Sequence, residues 1–170
     1  MFPFPSEVEV VLKEFRTCDF TTLARDGSPM TWPVTALYDQ EQGRFLTCTS
    51  IGLPQKAFNI RRNPRVSLLF SNPTGSGLSQ PPAVLVQGEA RVSENIDVSP
   101  LANEELRKCW LQIMRFQPFS PIYGNDPLSH FLYDWYFMRL VISVTPRRLC
   151  WWEHGDFTQA PHEMEINHAQ

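Results

Sequence analysis

Lys56-Ala57-Phe58-Asn59-Ile60-Arg61-Arg62-Asn63-Pro64-Arg65-Val66, preceded by Thr47-Cys48-Thr49-Ser50, is the stretch on which the fold turns. Pro54 suits the first helical position, and Gln55 to Asn63 reads as a short helix stopped by Pro64. Arg44 to Thr49 before it and Arg65 to Phe70 after it read as strands. A strand end thus feeds hydroxyls into a loop, and a helix N-terminus follows with Lys56 in its first turn. Free N–H groups and the helix dipole favour negative charge there, and Lys56 adds a full positive one. Arg61 and Arg62 lie five and six residues further on, so at least one can share the side of Lys56. Phosphate is the common biological anion for such a place. The plainer alternative is that Lys56, Arg61 and Arg62 are the solvated face of a surface helix. Neither G-x-x-x-x-G-K-[ST] nor G-x-G-x-x-G occurs, so no P-loop or Rossmann turn accounts for the anion.

Upstream, Ser6-Glu7-Val8-Glu9 has capping-box spacing, and Val8, Val11, Leu12 and Phe15 predict an amphipathic helix to about Phe15. Phe20 to Arg25 reads as strand, Asp26-Gly27 as a two-residue hairpin turn, and Met30 to Tyr38 as the return strand. Pro33 cannot donate to a ladder, so its position is predicted to be an edge, a bulge, or a place where something other than a strand is paired. Downstream, Ser71 to Pro82 is a long Ser/Gly/Pro loop, and Ala83 to Val92 a strand with a bulge or bend at Gly88. A helix starting at Ser99-Pro100 buries Leu106, Trp110, Ile113 and Met114, and proline-punctuated and aromatic sequence follows from Gln117 to Phe137. Met138 to Thr145 and Arg148 to Glu153 are predicted to pair across a turn at Pro146, and the polar tail from about Thr158 to be loose. Six or seven strands, three short helices and no repeat predict one domain, 1–170, with a helical insertion at about 97–136. The predicted architecture is a closed or partly open antiparallel barrel.

The 170 residues suit a single core, and 15 Lys and Arg against 18 Asp and Glu argue against a nucleic-acid or anionic-membrane footprint. No run approaches the ~18 apolar residues of a membrane span, and Met1 to Ser6 carry no signal-peptide pattern, so a cytoplasmic protein is expected. Cys18, Cys48, Cys109 and Cys150 are scattered and read as buried thiols. His130, His154, His162 and His168 show no ligand spacing, so no metal site is expected. Trp32 and the pair Trp151-Trp152 sit on strands where one ring must face outward, as a dimer contact or a cofactor wall.

The order F-T-T-L-A-R-D-G-S-P (20–29), W-P-V-T (32–35), T-C-T-S (47–50), K-A-F-N-I-R-R-N-P-R-V (56–66), V-Q-G-E-A (86–90) and T-P-R-R-L-C-W-W (145–152) resembles the pyridoxamine 5′-phosphate oxidase-like split barrels. The resemblance runs from about Phe20 to Gly155, and K-x-x-N-I-R-x-N-P-R-V is its most specific piece. It implies a six-stranded antiparallel split barrel, mainly β with short helices. It also implies a homodimer with flavin mononucleotide, or alternatively the deazaflavin F420, at the subunit interface. Carried over by position, Lys56, Thr49 and Ser50 would hold the phosphate, with Gln55 a further phosphate or ribityl contact and Arg62 part of the cofactor site. Trp32-Pro33-Val34-Thr35 would lie along the ring, and Trp151 or Trp152 would reach the cofactor from the partner subunit.

The family's glutamine before its V-x-V-x-G strand is Ala83 here, and Glu153-His154-Gly155-Asp156-Phe157 stands where the oxidase has R-L-H-x-R. These departures argue against pyridoxamine phosphate as the small-molecule substrate. The implied activity is a flavin-dependent oxidoreductase with no assigned catalytic side chain. The alternatives are an F420-dependent reductase of the same fold or a non-catalytic dimer that binds flavin or haem.

Overall fold

The computed structural model describes residues 4–97, 103–116 and 138–166. Its elements are α1 (Ser6–Glu14), β1 (Cys18–Leu23), β2 (Pro29–Val34), β3 (Leu37–Asp39), β4 (Arg44–Ser50), α2 (Gln55–Arg62), β5 (Arg65–Phe70), β6 (Ala83–Val92), α3 (Glu104–Phe116), β7 (Arg139–Trp152) and β8 (His162–Glu165). The strands form one antiparallel sheet in the order β2-β1-β5-β6-β7-β4-β3, with β8 added beside β7. The described residues therefore contain eight strands rather than six or seven.

The two end strands, β2 and β3, are separated in the chain by only Thr35 and Ala36. A sheet whose first and last strands are covalent neighbours must curl until its ends meet. Here β2 pairs with β1 and β3 with β4, while no ladder joins β2 to β3 among the described residues. The result is the split barrel that the sequence predicts, with an open seam in place of full closure.

Alternation explains the interior. Phe20, Phe45, Val66, Leu68, Phe70, Val84, Val86, Ile142, Val144 and Leu149 point inward and are buried together. Into the same cluster α1 places Val8, Val11 and Leu12, followed by Phe15 just after its end. A fully buried aliphatic or aromatic side chain contributes roughly 1.5–3 kcal/mol, so this cluster dominates the stability of the barrel. A second cluster lies on the outer side of β4 and β7, where α3 covers Leu46 and Val141 with Leu106, Cys109 and Trp110. Ion pairs tie α3 down, among them Arg44 to Glu105, Lys108 Nζ to the buried carboxylate of Asp39 at 3.1 Å, and Arg115 to Glu14 of α1 at 2.7 Å.

Several local expectations are corrected. The capping box does not form: Pro5 is the N-cap, and the Ser6 hydroxyl turns to its neighbour Glu7. The first hairpin uses a five-residue loop, Ala24 to Ser28. Gly27 sits at φ 85° and the Asp26 carboxylate accepts from both N and Oγ of Ser28. The strand expected from Met30 to Tyr38 breaks at Thr35-Ala36, where the chain leaves one end of the sheet for the other. In α3 Met114 is exposed, and Cys109 takes the buried place beside Trp110.

Pro146 makes no hairpin. Residues 139–152 are one continuous strand paired with β6, whose register shifts between Gln87 and Gly88. Gly88 permits this, because a Cβ there would lie 2.2 Å from the Thr145 carbonyl oxygen. The tail is not loose throughout: β8 pairs with β7, Met164 packs on the core and Ile166 is buried. The expected helix start at Ser99-Pro100, the stretch from Gln117 to Phe137, His130 and His168 lie outside the described residues. No helix among the described residues is long and apolar enough to cross a membrane.

Candidate functional site

A cleft of about 250 Å³ opens at the seam. Pro33 and Val34 of β2, with Thr35 of the linker, form one wall, and Thr47, Cys48, Thr49 and Ser50 of β4 form the other. Leu53 enters from the turn before α2, Lys56 from the first turn of α2, Ile113 from α3, and Arg139 from the first position of β7. Pairing of Ser50 with Arg139 in the β4–β7 ladder sets that arginine beside the strand end.

Hydrogen bonding sorts the hydroxyls. Thr47 Oγ1 donates to the Thr35 carbonyl at 2.9 Å and so braces the linker across the seam. Thr49 Oγ1 donates to the Leu53 carbonyl at 3.0 Å, which leaves its oxygen as an acceptor. Ser50 Oγ accepts from the Gly52 N–H at 3.3 Å and keeps its own O–H for another partner. Of the two predicted phosphate hydroxyls, Ser50 is the one with a proton still to give.

Lys56 carries the electrostatics. Its ammonium stands 5.1 Å from the centre of the Trp32 ring and makes no ion pair with a described carboxylate. Burial shifts its pKa below the usual lysine value, the adjacent Cys48 opposes that shift, and Arg139 adds to it. Among the described residues no Asp or Glu lines the cleft. A half-buried ammonium with a second cation nearby and no described carboxylate beside it is an environment that an anion would relieve.

The structure thus brings Pro33, Val34, Thr35, Thr49, Ser50 and Lys56 to one cleft and sets Trp32 against Lys56. Gln55 and Arg62 do not line it. Both donate to Asn59 Oδ1, at 2.9 and 2.6 Å, and they border a separate recess with Ala24, Arg25 and Asp26. Asn59, fully buried, passes the contact on by donating from Nδ2 to Thr22 Oγ1 at 2.9 Å. Trp151 lies at the far end of β7 from Arg139, stacked on His162 with ring centres 5.1 Å apart. Sequence reasoning missed Arg139 and Ile113 as lining residues. Only the β4–β7 register and the seat of α3 bring them there, and no local motif announces either.

The family model for pyridoxamine 5′-phosphate oxidase matches residues 4–115. No curated protein sequence matches the chain. Among solved structures, the chain is similar to general stress protein 26 of Bacillus anthracis, with 17% identity over 94% of this chain and 96% of that one, at a TM-score of 0.58. It is also similar to an F420 reductase, with 19% identity over 87% and 98% at a TM-score of 0.56. The haem storage protein of Vibrio cholerae gives 15% identity over 86% and 92%, at the same TM-score of 0.56. With the family model spanning most of the chain, the barrel and its seam have a definite lineage: the chain belongs to the pyridoxamine 5′-phosphate oxidase family.

Proposed function

We propose that the seam cleft binds flavin mononucleotide and that the protein is a flavin-dependent oxidoreductase acting on a small molecule other than pyridoxamine phosphate. The observation that carries this reading is the half-buried Lys56 ammonium in a cleft with no carboxylate among its described lining residues, beside Ser50 with its free O–H. These groups hold the phosphate, while the unpaired edge of Pro33, Val34 and Thr35 offers main-chain groups to the polar rim of the ring. The bound flavin supplies hydride or electron transfer; the chain supplies position, charge and apolar contacts at Leu53 and Ile113.

At about 250 Å³ the cleft falls below the usual ~300–1,000 Å³ of a cofactor site. That size supports a homodimer in which the second subunit completes the pocket. Trp151 or Trp152 of the partner subunit would form the missing wall, consistent with Trp151 lying away from the cleft of its own chain.

The shorter cofactor is favoured over F420 by the engagement of the arginines. Arg61 donates to the Ser93 carbonyl, Arg62 to Asn59 and Arg65 to Asn63, and none of the three lines the cleft to meet a longer acidic tail. Titration of the purified protein with flavin mononucleotide and with F420, alongside sedimentation to count subunits, tests the reading. Saturable flavin binding by a dimer supports it; failure to bind either cofactor overturns it.

A further inference from the structure

Four free thiols occur, and their surroundings divide them. Cys18 is sealed in the barrel core, where burial, aided by Asp19, pushes its thiol far up. Cys150 is also buried and shifted upward, chiefly by burial. Cys48 is the exception. Half-buried, it lines the cleft with Lys56 and Arg139. Its thiol is shifted down, first by the approach of the Cys109 thiol in the same packed cluster and then by the two cations, against the opposing effect of burial. The Cys109 thiol, itself buried, is shifted well up.

The backbone explains the pairing. Arg44, Leu46, Cys48 and Ser50 alternate onto one face of β4. On that face α3 seats Glu105 against Arg44, and Leu106, Cys109 and Trp110 against Leu46, with Cys48 packed on the same cluster. Glu105 and Cys109 are four residues apart and share a side of the helix, so the ion pair that anchors α3 also aims Cys109 at β4. One thiol thus opens onto a cationic cleft, and its neighbour waits behind it in apolar packing.

We infer that Cys48 is a hydroperoxide-reactive thiol and that Cys109 resolves it by closing a Cys48–Cys109 disulfide between β4 and α3. The Cys48 thiolate attacks one oxygen of the hydroperoxide, the O–O bond breaks, and water or an alcohol leaves with a proton. The resulting Cys48 sulfenic acid is attacked by Cys109 sulfur, the S–O bond breaks, and water leaves. Two thiols and one hydrogen peroxide give one disulfide and two waters. The bond would lock Cys48, two residues from Ser50, onto α3 and so couple the cleft to the peroxide level. This inference does not depend on which cofactor the cleft holds.

The test treats the full-length reduced protein with hydrogen peroxide, then measures intact mass and maps non-reduced peptides. The expected product is two hydrogen atoms lighter, with Cys48 and Cys109 peptides joined and Cys18 and Cys150 still free. Cys109→Ser should stop at the sulfenic acid, trapped by a dimedone-type reagent on Cys48, and Cys48→Ser should give neither product. If Cys109→Ser fails to fold, the wild-type map alone decides. A mass that does not change, a disulfide through Cys18 or Cys150, or Cys48 oxidised further while Cys109 stays a free thiol each overturns the inference.

Discussion

Lys56 Nζ sits over the ring of Trp32, 5.1 Å from its centre, so a cation on the first turn of α2 rests against an aromatic on the edge strand β2. The ring's negative face partly offsets the cost of burying the charge, and it also holds the ammonium at the cleft mouth.

Replacing Lys56 with methionine should separate binding from stability. Affinity for flavin mononucleotide should fall by about 1.5–3 kcal/mol, the worth of a charge-assisted hydrogen bond, or roughly 10- to 150-fold in Kd by fluorescence titration. Stability should move the other way. The lysine's folded pKa is lowered by burial, so the unfolded chain binds more protons and wild-type stability rises as pH climbs towards the ordinary value of 10.5. The variant should be at least as stable at neutral pH in urea unfolding and should lack that alkaline gain.

Lys108 presents the opposite sign. Its hydrogen bond to Asp39, then the charges of Asp39 and Glu41, raise its pKa above the ordinary 10.5. The pair's contribution is therefore complete below that value and lost as pH rises through the raised pKa. Lys108→Met, which strands the buried Asp39 carboxylate, should cost about 1–3 kcal/mol at pH 7. In thermal melts at increasing pH, the gap between wild type and variant should close on the alkaline side.

Asn59→Leu tests how α2 is held on β1. The side chain is fully buried, donates to Thr22, and accepts from Gln55 and Arg62. Its loss leaves Thr22 Oγ1 buried without that donor and releases both helix side chains, a destabilisation of about 2–3 kcal/mol by denaturant titration. A variant within ~0.5 kcal/mol of wild type would show that the network is incidental.

Gly88→Ala should be among the most damaging single-methyl additions in this chain. The new Cβ would meet the Thr145 carbonyl oxygen at 2.2 Å and the Pro146 Cα at 3.0 Å, both backbone atoms of the paired strand. Overpacking of this kind costs about 1–3 kcal/mol or more, and here it must displace β7 from β6. A melting temperature unchanged from wild type would refute this account of the register shift.

Much of the barrel was legible because its rules are local. Alternation located Ala83 to Val92, Pro54 and Pro64 bounded α2, and an edge role for Pro33 followed from its missing N–H. The errors arose where a local signal met a tertiary one. Pro146 resembled a turn, yet β6 accommodates it with a glycine and a shifted register. The polar tail hid β8 because only Met164 and Ile166 pack inward, while Glu163 and Glu165 pair with Arg148. In the site, Lys56 and the β4 hydroxyls could be read from their order along the chain. The placement of Gln55 and Arg62 could not, because Asn59 draws both side chains away from the cleft. Arg139 reaches it only through strand pairing over a long sequence distance.

The two-residue link between β2 and β3 gives the seam a fixed gauge. Thr35 and Ala36 set how far apart the sheet's two ends can stand, and Thr47 clasps the link from the opposite strand. The aperture is thus defined by covalent chain length rather than by the size of side chains that fill it. Lengthening this link by a residue should widen the mouth while leaving the β4 wall in place, so the width of the gap is written in the length of the chain that spans it.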